Sequence, residues 1–258
     1  MKIFRDIADF IFPRQCLMCG CRLSTTEKHL CVSCLRMLPR TNYHLCKHSP
    51  IEMYFWGKLP IERATSFLFY DGIRTRDIIY SMKYHHAPET GRYVSEIFAA
   101  EIKDCGFFDG IDCIIPVPLS RQRQWKREYN QSEWIARGIS RQTGIPVWRN
   151  VVKRVVDNQT QTALMPYERW DNVEDIFRLV RPERIHGKYV LLVDDVMTTG
   201  ATISSCAKEL TKAEDVKISI ATLCVAGHSN ISSTYENEEE PASIIEEDYT
   251  YIIKEKLV

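Results

Sequence analysis

The stretch from Tyr189 to Thr202 constrains this chain more than any other. Tyr189-Val190-Leu191-Leu192-Val193 is an unbroken aromatic and apolar run, which suits a strand covered on both faces in the middle of a parallel sheet. Ligands of open α/β sheets sit at the carboxyl ends of such strands. Asp194 and Asp195 fall at that end, followed by Val196, Met197 and the turn Thr198-Thr199-Gly200-Ala201-Thr202. The turn supplies hydroxyls, small side chains and a glycine where backbone must approach an anion closely, so its N–H groups can form an anion nest. Ile203, Cys206, Ala207 and Leu210 then recur at helical spacing, which predicts a helix aiming its N-terminus at the same anion. Two carboxylates would repel a phosphate that was the whole ligand. They need a further partner, either sugar hydroxyls or a Mg²⁺ ion.

Lysine plus arginine and aspartate plus glutamate number 34 each, so the formal net charge is zero and charge alone does not bind this chain to nucleic acid. The 258 residues predict one medium domain with an appendage and no membrane span. Charges of both signs interrupt residues 1–13, which read as a short amphipathic helix and not as a secretion signal; a cytoplasmic location is expected.

Cys16-x2-Cys19 and Cys31-x2-Cys34 are two pairs with the knuckle spacing that grips one tetrahedral zinc. A module over 14–48 is too small for its own hydrophobic core, so structural zinc would supply its folding energy. Cys21 and His29 are spare candidates that could replace a ligand if one pair is misread. Cys46 and His48 lack a second pair and read as ordinary residues, while Cys105, Cys113, Cys206 and Cys224 read as small buried hydrophobes.

Residues 42–58, with Pro50 and Gly57, read as an irregular connection. Beyond it the periodicity predicts a strand at 64–70, helices at 73–84 and 92–105, and a strand at 112–117 that ends in Pro116-Val117-Pro118. A helix around Trp134, Ile135 and Ile139 and a late strand at 216–225 complete an α/β succession, which predicts a doubly wound, mainly parallel sheet over 60–227. Residues 228–258 read as an acidic, partly disordered tail.

With these motifs in place, the acid-acid-turn segment resembles the phosphoribosyl pyrophosphate (PRPP) signature of type I phosphoribosyltransferases. The chain from about 14 to 226 resembles ComF-type proteins, which join a cysteine-knuckle module to such a domain. The likeness rests on Lys83-Tyr84 ending a helix, Pro116-Val117-Pro118-Leu119, Arg127-Glu128-Tyr129-Asn130-Gln131, and a pattern including Arg154, Gln161-Thr162, Arg169 and Asn172-Val173. It implies that Asp194 and Asp195 hold the ribose hydroxyls, that residues 196–202 hold the 5-phosphate, that Pro118, Leu119 and Ser120 form the pyrophosphate loop, and that Mg²⁺ accompanies PRPP. Arg127 is the cation assigned to the leaving group, ahead of Arg121, Arg123 and Lys126.

Residues 157–169 are the candidate hood. Lys83, His85 and His86 read as a solvated helix terminus. Trp125 is either a packing residue or a stacking surface. One departure stands out: Glu128 occupies a glycine position of the related motif, where a left-handed backbone costs other residues about 1 kcal/mol or more. The resemblance implies transfer of phosphoribosyl to or from a base or other nitrogen acceptor. Its alternative is a non-catalytic PRPP- or nucleotide-binding accessory in DNA uptake, acting through DNA-uptake proteins or single-stranded DNA.

Overall fold

The computed structural model describes residues 13–72, 74–156 and 176–226. The expected hood and acidic tail, and all of the expected N-terminal helix except Pro13, lie outside these residues.

A short helix α1 (Val32–Arg36) in the cysteine module is followed by α2 (Pro50–Phe55), strand β1 (Ala64–Tyr70), and helices α3 (Arg76–Tyr84) and α4 (Pro88–Ile102). Next come β2 (Cys113–Pro116), α5 (Arg121–Arg127), α6 (Gln131–Thr143) and the short strands β3 (Val152–Arg154) and β4 (Phe177–Leu179). The chain then forms β5 (Tyr189–Met197), α7 (Ala201–Leu210) and β6 (Lys217–Ala226). The main sheet is four-stranded in the order β1-β6-β5-β2, and every pairing is parallel. β3 and β4 pair antiparallel in a separate ribbon.

This is the doubly wound α/β fold expected from the apolar runs. Val190, Leu191, Leu192 and Val193 are fully buried, so β5 is covered on both faces. Leu191 and Val193 join the core formed with α3, α4 and α6, while α7 packs against β4 and β5. Helices α4 and α6 cross closely because position 138 has no side chain; a Cβ on Gly138 would lie 2.4 Å from the Arg92 carbonyl oxygen. Among the described residues no helix is long and apolar enough to cross a membrane.

The cysteine module is built into this core. Cys16, Leu23, Leu30, Cys31, Cys34 and Leu38 are buried in the same cluster as Phe67, Met82 and Phe98. Its exit strand bonds the edge of β1, through Thr41 N–H to the Phe67 carbonyl at 3.0 Å and Phe69 N–H to the Pro39 carbonyl at 2.8 Å.

The connection at 42–58 is not irregular throughout. Ser49 caps α2 by accepting the Glu52 N–H, Pro50 occupies the first turn, and Ile51 and Phe55 bury one face. Pro50 reads as a loop marker in sequence but acts here as a helix starter, since its missing N–H would have had no helical partner.

Candidate functional site

Pro116 of β2 pairs with Val193 of β5, and the Val117 N–H donates to the Val193 carbonyl at 2.9 Å. The expected proline loop therefore leaves the sheet beside the acid pair. Pro118 and Leu119 are half-buried, and Ser120 is buried with its carbonyl accepting the Gln124 N–H at the start of α5.

A cleft at the end of β5 is lined by Asp194, Val196, Met197, Thr198, Thr199, Gly200, Ala201, Thr202 and Ile203, which brings together the whole 196–202 stretch. Thr198, Thr199, Ala201 and Thr202 are exposed, while Gly200 is buried and caps α7 with φ 70°. That angle suits glycine. Space enforces the same choice, because a Cβ at 200 would meet the Tyr54 ring at 2.5 Å. Tyr54 comes from α2, and its hydroxyl donates to the Thr199 carbonyl. The unforeseen helix thus braces the 198–202 turn.

Asp194 and Asp195 are successive residues at the carboxyl end of β5, each held by a different helix. Ser132 of α6 donates its hydroxyl to Asp194 Oδ1 at 2.9 Å, and the Asp195 N–H reaches the same oxygen at 2.9 Å. Burial first, and then the neighbouring Asp195 charge, push the Asp194 carboxyl up to about 7 despite those two donors. From α3, Lys83 Nζ lies 3.1 Å from Asp195 Oδ2, and the Val196 N–H reaches Asp195 Oδ1 at 2.7 Å. Lys83 is therefore not the solvated terminus its sequence position suggests, although His85 and His86 are exposed as expected.

The Arg127–Gln131 motif ties these parts together. The Tyr129 hydroxyl donates to the Met82 carbonyl, next to Lys83, and Asn130 Nδ2 donates to the Val117 carbonyl at 2.9 Å. Asn130 also caps α6 by accepting the Ser132 N–H. Arg127 itself lies over the Tyr84 ring at 5.5 Å, on the Lys83 side of the site. Trp125 is 88% exposed, so it is not a packing residue. Glu128 takes φ 66°, so the turn keeps the left-handed angle without the glycine. Glu128→Gly is expected to stabilise the protein by about 1 kcal/mol. The check is a higher urea midpoint with unchanged slope; an equal or lower midpoint would contradict the strain.

In the cysteine module, the thiols of Cys16, Cys19, Cys21 and Cys31 lie within 4.8 Å of one another. Cys34, paired with Cys31 by spacing, is close as well: its N–H reaches Cys31 Sγ at 3.4 Å, and its thiol interacts with those of Cys16, Cys19 and Cys31. The donor set can hold a metal ion, and five thiols compete for four tetrahedral positions. Cys19 is pulled down to about 6, foremost by the Cys21 backbone N–H, which favours the thiolate that a metal needs. His29 is engaged elsewhere, with Thr90 at 3.3 Å and against the Tyr93 ring.

A buried parallel strand, an acid pair at its end and a threonine-glycine cradle opening a helix define the phosphoribosyltransferase class of α/β protein. The chain belongs to the phosphoribosyl transferase domain family, which matches residues 95–255. Among individual proteins it is similar to competence protein F of Haemophilus influenzae, at 29% identity over 213 residues, covering 78% of this chain and 92% of that protein. DNA utilization protein YhgH of Escherichia coli is 28% identical over 212 residues, covering 81% of this chain and 89% of that protein. A solved adenine phosphoribosyltransferase aligns over 60% of this chain and 79% of its own, with 13% identity and a TM-score of 0.38. The ComF-type resemblance is borne out at the level of these relatives. Strand β1, helix α3 and Lys83 precede the matched stretch yet belong to the same sheet and site.

Proposed function

We propose that the cleft binds PRPP or a nucleotide together with Mg²⁺ and transfers phosphoribosyl to or from a base or other nitrogen acceptor. The observation that carries this reading is the continuity of acid pair, cradle and the N-terminus of the ten-residue helix α7 along one segment. The N-terminal N–H groups of α7 and the turn 198–202 would receive the 5-phosphate. Asp194 and Asp195 would accept the ribose hydroxyls and stand near the positive charge that develops at the anomeric carbon as pyrophosphate leaves. The loop 118–120 and Arg127 are the proposed pyrophosphate side. Mg²⁺ would be carried mainly on the ligand's phosphates, as suits an ion that keeps few protein ligands. In the cysteine module, zinc is the proposed occupant, with a structural role.

A second reading is favoured by the exposure of Trp125 on a helix whose sequence includes Arg121, Arg123, Lys126 and Arg127. In it the protein is a non-catalytic PRPP- or nucleotide-binding accessory in DNA uptake, and the aromatic side chain and basic sequence contact a partner protein or single-stranded DNA. The relatives' names, competence protein and DNA utilization protein, lean the same way. Purified protein with Mg²⁺, PRPP and a panel of bases separates the two. Pyrophosphate release that requires one base and is lost in Asp194→Asn/Asp195→Asn is the expected result for the transferase. Saturable PRPP binding without release across the panel would sink catalysis and leave the accessory reading.

A further inference from the structure

Lys83 stands at the C-terminal end of α3, where a lysine ordinarily interacts with the helix dipole and with water. Here its ammonium is turned onto Asp195, the side chains of the pair being only 24% and 15% exposed. The backbone beside it is pinned, since the Met82 carbonyl accepts the Tyr129 hydroxyl. Helix α3 reaches the end of β5 because β1 pairs with β6 and β6 with β5.

Two adjacent carboxylates in a partly dehydrated site resist ionising together. We propose that Lys83 is the positioning residue of the acid pair: its ammonium, 3.1 Å from Asp195 Oδ2, orients that carboxyl and supplies the positive charge beside the pair, so that the pair presents its acceptor oxygens to a vicinal diol. The role for the diol rests on the ribose-binding reading above; the charge that Lys83 places beside Asp194 does not.

The groups facing the pair are few. Lys83 comes from α3 and Ser132 from α6. From α7, Cys206 faces Asp194, and from β6, Cys224 faces Asp195; burial pushes both thiols far up, so they stay neutral near neutrality. Asp71 also acts on Cys224, and Glu209 and Arg154 act on Cys206. Lys83 is thus the cation directly paired with these acids among the described residues. Arg127 instead covers Tyr84.

The test is a ¹³C-carboxyl titration of aspartate-labelled, ligand-free protein, with Asp194→Asn and Asp195→Asn used for assignment. In Lys83→Met the Asp194 carboxyl, which the Lys83 charge lowers, is expected to titrate about one pH unit or more higher, and Lys83→Arg should restore it. Lys83→Gln serves if the methionine variant does not fold. A titration that superposes on wild type in the folded neutral variant overturns the proposal, since a helix-end lysine with a merely structural role would leave the acids unmoved. In parallel, Mg²⁺-PRPP affinity at neutral pH should fall about ten-fold or more in Lys83→Met, with its pH profile displaced upward, and recover in Lys83→Arg. Absence of PRPP binding by wild type would defeat the ligand reading and the diol role together, while the carboxyl titration would still decide what Lys83 does to the pair.

Discussion

Asp194→Asn should make the protein more stable at neutral and alkaline pH, and by more than a surface substitution does. The Asp194 carboxyl is raised from an ordinary 3.8 to about 7 by burial and by the Asp195 charge. Between those values the folded state holds a proton that the unfolded chain has released. Stability from this group is therefore greatest below the ordinary value, falls as pH rises through the interval, and stays low above about 7. Three units correspond to at most about 4 kcal/mol, an upper bound for a half-buried acid whose solvent contact screens it. Asparagine keeps an oxygen to accept from Ser132 and from the Asp195 N–H without needing to ionise. Denaturation curves of variant and wild type should converge near pH 4 and separate toward pH 8, with the variant higher by up to about 10 °C. Parallel curves at all pH values would contradict the buried-acid account. A group that costs stability where it is ionised fits a site selected for binding.

Metal removal should have an effect at least as large. Cys16, Cys31 and Cys34 are buried alongside Leu23, Leu30 and Leu38, and the module also bonds the edge of β1. Five gathered thiols suit a metal ion, which would add a staple to the core packing and the edge hydrogen bonds. Protein purified without chelator is expected to carry about one zinc per chain, and stripping it should lower the thermal midpoint by roughly 10 °C or more. Cys31→Ser should lose zinc, whereas Cys46→Ser, exposed and outside the four-thiol group, should keep it. Comparing the zinc content of Cys21→Ser and Cys34→Ser identifies the fourth ligand. Zinc-free protein with native stability would overturn the staple. Because the module shares its core with Met82, which adjoins Lys83, loss of metal should loosen the Lys83 side of the cleft before the α7 side.

Much of this architecture was legible in sequence because it is local. An apolar run, an acid pair, a threonine-rich turn and a helical repeat all lie within residues 189–210, and that segment folds as one strand–turn–helix unit. The proline loop was equally readable, and its pairing beside β5 followed from the logic of a parallel sheet. What sequence did not show depends on distance along the chain. No spacing relates Lys83 to Asp195, or Tyr54 to Thr199 across 145 residues; strand order brings each pair together. Helix α2 was missed for a different reason, since Pro50 starts a helix with the same residue type that breaks one. Ser132 was hidden because a serine in a first helical turn has no signature distinguishing a ligand to Asp194 from an ordinary cap neighbour. The knuckle spacing identified the cysteine module and left Cys21 as a spare candidate, and the fold brings that thiol in beside the others.

The central claim is that the acid pair and the 198–202 cradle form one PRPP site. Calorimetric titration of Mg²⁺-PRPP into wild type and into Asp194→Asn/Asp195→Asn tests it most directly. The account predicts saturable binding at one site per chain in wild type and a loss of about 100-fold or more in the double variant, the scale expected for two charge-assisted hydrogen-bonding acceptors. Unchanged affinity in the double variant, or no binding by the metal-loaded wild-type protein, would contradict it.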